Sequence, residues 1–91
     1  MVKEYEILKS TYEADIDLCK FNPNTPADIV IYYKAVYIWI CKAGGDNYYL
    51  EIYLKNQLVL LDDVPWKSHP WETVIRELDK YLPVKKDIPL F

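Results

Sequence analysis

The sequence predicts an α+β domain: a three-stranded antiparallel meander with an N-terminal and a C-terminal helix, in the order α-β-β-β-α. Three observations predict it. Residues 28–42 and 47–55 are rich in β-branched and aromatic residues and flank Ala43-Gly44-Gly45-Asp46, as the arms of a hairpin flank its loop. Trp71, Val74, Ile75, Leu78 and Tyr81 recur at helical spacing between Pro70 and Pro83. The 91 residues suit one compact domain, and a chain of this size buries about two-thirds of its unfolded surface without staples.

Residues 2–19 carry two patterns. Val2, Tyr5, Leu8, Tyr12, Ile16 and Cys19 recur at steps of three and four, which makes one helical stripe. Tyr12, Ala14, Ile16 and Leu18 alternate with Glu13, Asp15 and Asp17, which is a strand pattern. The stripe spans the whole segment and the alternation only its second half, so the segment is read as helix. Ser10-Thr11 is the break if the strand pattern holds. Phe21-Asn22-Pro23-Asn24-Thr25-Pro26 then reads as a loop.

Thr25-Pro26-Ala27-Asp28 has the form of a helix start and Gly44 that of a helix end. Between them, however, lie Ile29, Val30, Ile31, Val36, Ile38 and Ile40 with three Tyr and a Trp, all strand formers. A helix would also leave Asp28, Lys34 and Lys42 on no coherent polar face. Residues 28–42 are therefore read as one strand.

A four-residue Ala43–Asp46 loop sets Lys42 opposite Asn47. The core face then holds Ala35, Tyr37, Trp39 and Cys41 with Tyr48, Leu50, Ile52 and Leu54. A second, mixed face holds Val36, Ile38 and Ile40 with Tyr49, Glu51 and Tyr53, and Lys34 and Lys55 lie at its end. A slip of one residue would swap this parity. The mixed face is itself too apolar to stand in water, so it needs a cover: the N-terminal segment, a second copy of the chain, or a partner protein.

Asn56-Gln57 reads as the next turn, leading into a strand over residues 58–63. A two-residue loop directs Val59 and Leu61 to the core face, and a three-residue loop reverses them. Residues 64–70 read as loop. The last helix runs from about Pro70 to Tyr81, capped by Ser68 or His69, with Glu72 favouring the positive end of its dipole. The tail, residues 84–91, is charged in the middle and apolar at its end.

Charge and composition narrow the function. The net charge is −3, and the acidic excess lies in residues 1–19, which hold Glu4, Glu6, Glu13, Asp15 and Asp17 against two lysines. A nucleic-acid binder carries a basic stripe, and the sequence has none. Nine Tyr and three Trp are many for this length. Both residues are enriched at interfaces, although Tyr is also a good strand former. The apolar run Ile29–Cys41 is 13 residues and contains Lys34, short of the roughly 20 apolar residues of a membrane span. The N-terminus shows no apolar signal region. The expectation is a cytoplasmic protein with no membrane contact.

Enzyme chemistry finds little support. His69 is the only histidine. In the hairpin register above, Cys41 points into the core, where a thiol is inert. Cys19 and Cys41 have no metal-ligand spacing. Gly44-Gly45 are the only glycines, so no phosphate-cradling loop or cofactor motif exists. Asp15-x-Asp17 and Asp62-Asp63 lack the further ligands of a cation site.

The order α-β-β-β-α is similar to that of double-stranded-RNA-binding domains, a family that contacts phosphate through a lysine cluster at the start of its second helix. The corresponding stretch here is Ser68-His69-Pro70-Trp71-Glu72-Thr73, with no lysine or arginine. The resemblance covers element order alone, and charge argues against RNA as a ligand.

The expected function is recognition, and inhibition, of another protein by steric and electrostatic occlusion. Phage-borne antagonists of host defence nucleases and immunity proteins against toxins offer analogies of size, charge and architecture. The expected partner-binding residues are Glu6, Glu13 and Asp17 from the acidic segment, Val36, Ile38, Tyr49, Glu51 and Tyr53 from the mixed face, and Trp66 from the loop before the last helix. The partner would be a protein, such as a basic nucleic-acid-binding protein that a nucleic-acid mimic could block. The alternative is a structural homodimer.

Overall fold

In the computed structural model, residues 1–19, 27–60 and 67–85 are described. The elements are α1 (Val2–Thr11), β1 (Asp15–Cys19), β2 (Asp28–Tyr33), β3 (Val36–Lys42), β4 (Asn47–Leu54), β5 (Gln57–Leu60), β6 (His69–Pro70) and α2 (Trp71–Asp79). The fold is α+β with helices at both ends. Its antiparallel sheet runs β1-β2-β3-β4-β5, and the short β6 also pairs with β4. The expected three strands were too few, and the likeness of element order to RNA-binding domains goes with that count.

Two of the extra strands come from splitting segments read as single elements. In residues 2–19 both patterns are real, each over its own half. The Ser10 and Thr11 hydroxyls donate back to the carbonyls of Glu6 and Ile7 at 2.9 and 2.7 Å, and Tyr12 leaves the helix in extended geometry. Such side-chain bonds compete with helix continuation, and β1 follows. In residues 28–42 the chain turns back at Lys34-Ala35, where Tyr33 pairs with Val36 and Lys34 adopts φ 52°. No glycine or asparagine marks this turn, so the run reads as continuous.

The hairpin β3–β4 pairs Lys42 with Tyr48, one residue out from the expected register. Its loop is closed by the Ala43 N–H donating to the Asn47 carbonyl at 2.9 Å, and Gly45 takes the left-handed conformation at φ 68°. The slip reverses the parity of β3. Val36, Ile38 and Ile40 point into the core, and Tyr37, Trp39 and Cys41 point away. The sides of β4 are as expected, with Tyr48, Leu50 and Ile52 inward. The cause lies in β2, whose Ile29 and Ile31 pair with Ile40 and Ile38 and are fully buried. This register gathers the aliphatic side chains of three strands on one side, where burial gains most.

The β4–β5 turn is Lys55-Asn56 rather than Asn56-Gln57. Both residues have positive φ (50° and 64°), the signature of a tight hairpin turn. A bulge at Ile52/Tyr53 then shifts the register, so that Leu58 pairs with Tyr53 and Leu60 with Ile52. The expected strand and loop assignments over residues 61–66 lie outside the described residues.

Both helices cover the same side of the sheet. Leu8 and Tyr12 from α1 and its exit join Val74, Leu78 and Leu82 against the inward isoleucines. Trp71, Ile75 and Tyr81 pack partly buried beside them, completing the expected stripe of α2. Pro70, with no side-chain capping bond, occupies the N-cap position expected of Ser68 or His69. His69 belongs instead to β6, opposite Tyr48. Among the described residues no helix is long and apolar enough to cross a membrane.

Two polar contacts fasten the helices. The buried Tyr12 hydroxyl donates to Asp79 Oδ1 at 2.6 Å, tying the start of the sheet to the end of α2. At the other end, Glu4 accepts from the Tyr48 hydroxyl at 2.6 Å and from Lys42 Nζ at 3.2 Å. Lys42 also sits 4.9 Å from the Tyr48 ring centroid, and that ring packs on Trp71 at 5.1 Å. Burial pushes the Glu4 carboxyl up. The bonds from Tyr48, from its own backbone and from Lys42 together outweigh burial, and its pKa falls from 4.5 to about 2. Burial and then Glu4 hold the Tyr48 hydroxyl above its ordinary value.

Candidate protein-binding face

With both helices on the inner side, no helix of the described residues covers the other side of the sheet. Strand alternation puts Asp15, Asp17 and Cys19 of β1, Asp28, Val30 and Tyr32 of β2, and Tyr37, Trp39 and Cys41 of β3 on this open face, where Val30 is buried among its neighbours. Tyr49, Glu51 and Tyr53 of β4 and Leu58 of β5 complete it. None of these strand residues is basic, and four are carboxylates.

The pairings arrange them in rows. One row crosses the sheet as Asp17, Val30, Trp39 and Glu51, and the next as Asp15, Tyr32, Tyr37, Tyr53 and Leu58. In the second row the Tyr32 and Tyr37 rings meet edge-on at 5.0 Å, and Tyr37 and Tyr53 do so at 5.5 Å. Cross-strand aromatic pairs of this kind stabilise a sheet. Yet Tyr32 remains 49% exposed and Leu58 38% exposed, so the ladder still presents much of its surface to solvent.

Hydrogen bonds hold several of these side chains in place. The Trp39 indole N–H donates to Asp28 Oδ2 at 3.0 Å. The Tyr53 hydroxyl donates to Glu51 Oε1 at 2.5 Å, and this bond, followed by burial, raises the Tyr53 pKa. Burial, then the neighbouring Tyr32, Cys19, Glu51 and Asp28, raises that of Tyr37. Both hydroxyls thus stay protonated at neutral pH. Burial, reinforced by Asp28, pushes the Cys41 thiol up to about 11, which favours its neutral form. Cys41 lies on the outer side of the sheet and not in the core as expected, because the register slip turned β3 over. Cys19 and Cys41 are both free. Among the described residues no cluster of His, Cys, Asp and Glu could hold a metal ion.

The structure brings together Asp17, Tyr49, Glu51 and Tyr53 from the expected partner-binding set. Glu13 is exposed at the margin, where it borders a depression with Asp15 and Tyr32. Glu6 is exposed on α1, which packs on the inner side, so it does not join this face. Val36 and Ile38 are corrected outright: they are 8% and 0% exposed in the core, because the register slip turned β3 over. Trp66 lies outside the described residues. Sequence reasoning missed Tyr32, Tyr37, Trp39 and Asp28. The signal that could have found them is the Ile29/Ile31 alternation, which fixes the parity of β3 once Lys34-Ala35 is recognised as a turn.

No protein-family model, curated protein or solved structure matches the chain significantly.

Proposed function

We propose that the chain is a non-enzymatic protein-binding module that uses the open face of its sheet to engage, and thereby occlude, a basic surface of another protein. The observation that carries this reading is the composition of that face: an aromatic ladder flanked by Asp15, Asp17, Asp28 and Glu51, with no basic residue among the described strand residues that form it. Aromatic centres with a charged surround are the anatomy of interfaces. The excess of carboxylates among the described strand residues of this face favours a positively charged partner and speeds its approach. It also repels nucleic acid, whose phosphates demand cations.

The same charge disfavours the homodimer. Two copies joined face to face would bring eight carboxylates together with no basic residue among the described strand residues of either face. Two β1 edges paired antiparallel would set Asp15 and Asp17 against their copies on one face, where like charges destabilise.

The test is to isolate the partner by affinity capture, purify it, and measure its affinity and association rate by surface plasmon resonance at several salt concentrations against the wild type, Tyr32→Ala and Asp17→Lys. Tyr32→Ala should weaken binding by about 2 kcal/mol if it is an anchor. Asp17→Lys should slow association and flatten its salt dependence. Unchanged affinity and kinetics in both variants would rule the face out.

A further inference from the structure

We propose that the depression between Tyr37, Trp39, Glu51 and Tyr53 is a receptor for one arginine side chain of the partner protein. The inference rests on the reading of the open face as a protein-binding surface and names the chemistry that surface selects.

Trp39 stands opposite Glu51 and Tyr37 opposite Tyr53 on the paired strands β3 and β4. The four side chains therefore mark the corners of a square, three rings and one carboxylate. Asn56 also lines the depression, which is open to solvent and holds about 490 Å³. Cations are attracted to aromatic faces, to Trp above all, and a carboxylate at the fourth corner adds direct charge complementarity.

The hydrogen-bond capacity left over points the same way. Indole has a single donor, and Trp39 uses it on Asp28. Tyr53 uses its hydroxyl proton on Glu51. The two bonds fix both rings and consume their donors; with the Tyr37 hydroxyl and the Asn56 amide, each both donor and acceptor, the walls offer π faces and an excess of acceptor positions centred on the Glu51 carboxylate. A carboxylate has about four acceptor positions, and Glu51 keeps several. No lysine or arginine of the described residues pairs with Glu51 or Asp28. The complement of such a site is a cation with many donors and no acceptor, which describes guanidinium.

Shape separates arginine from lysine. The rings of Tyr37 and Tyr53 meet at 60° along an open trough rather than enclosing a sphere. A planar guanidinium can lie on a ring while its fork meets Glu51, whereas an ammonium is a compact, strongly hydrated point charge.

The experiment uses the full chain, isotope-labelled, and follows the Trp39 indole N–H signal, assigned with Trp39→Phe. Three blocked tripeptides serve as probes, identical but for a central arginine, lysine or citrulline. The arginine peptide should shift the signal saturably, the lysine peptide several-fold more weakly, and the neutral citrulline peptide should leave it in place. Glu51→Gln should weaken the arginine peptide by about tenfold, as loss of a hydrogen bond to a charged group does. Tyr37→Leu serves as a second variant with the carboxylate intact and should weaken it as well. Equal response to citrulline, no saturation with arginine, or an unchanged titration in both variants would overturn the proposal. A captured partner whose binding falls with Asp17→Lys but not with Glu51→Gln overturns the arginine receptor alone. Indifference to Asp17→Lys and Tyr32→Ala removes the binding face itself.

Discussion

Glu4 gives the fold a dependence on acid that can be measured. Its folded pKa of about 2 lies below its ordinary 4.5, a difference worth about 3 kcal/mol at ~1.36 kcal/mol per pH unit. The Glu4 side chain is 13% exposed but its Lys42 partner 31%, so solvent screens part of the interaction and this figure is an upper bound. Because the folded-state pKa is the lower one, the unfolded chain binds the extra proton between the two values. The stabilisation is therefore complete above pH 4.5 and is lost as pH falls towards about 2. Glu4→Gln removes the charge but leaves an amide oxygen to accept from Tyr48, so its cost at neutral pH should be somewhat smaller, about 2 kcal/mol. Urea unfolding followed by tryptophan fluorescence, for the wild type and Glu4→Gln across this pH range, measures both. The two stability curves should lie apart at neutral pH and converge in acid. If they run parallel through the acid range, or differ by less than about 0.5 kcal/mol at neutral pH, Glu4 does not carry the charge-dependent stability assigned to it.

Further expectations concern packing and backbone. Ile38→Ala should destabilise by about 2–5 kcal/mol in the same unfolding assay, as truncation of a buried side chain does. Tyr32→Ala, on the opposite side of the sheet, should cost under about 1 kcal/mol; the reverse ranking would mean the β3 register is wrong. Tyr12→Phe should lower the melting temperature by the loss of one hydrogen bond to Asp79, about 1–2 kcal/mol. Tyr12 titrates above its ordinary 10, so its contribution should persist at neutral pH and fade only in strong alkali. Lys34→Gly relieves a non-glycine residue held at φ 52° and should stabilise by about 0.5–1 kcal/mol; a loss of stability would show that the lysine side chain holds the turn.

Much of the architecture was legible from apolar patterning. Val74, Ile75 and Leu78 located α2 because their spacing has one interpretation. The sides of β4 followed from Tyr48, Leu50 and Ile52 alternating with Tyr49, Glu51 and Tyr53. What failed was connection geometry. Lys34-Ala35 contains no residue that prefers a turn, so β2 and β3 merged into one strand. The Ala43–Asn47 connection is longer by one residue than its glycines suggested, and that single residue moved Val36 and Ile38 from the binding face to the core. In residues 2–19 the two patterns were read as rivals, although each described half of the segment. The candidate site suffered most, because membership of a face depends on register while membership of an element does not.

Placing both helices on one side of the sheet separates two kinds of demand on the chain. The isoleucines of β2, β3 and β4 and the stripe of α2 carry folding. The tyrosines, Trp39 and the aspartates lie on the far side, away from that core. Residues alternate between these duties along each central strand, so the displayed side could be rewritten position by position while its neighbours keep the scaffold intact. A repertoire of different recognition surfaces on one unchanged framework is therefore within reach of substitutions at alternate positions alone.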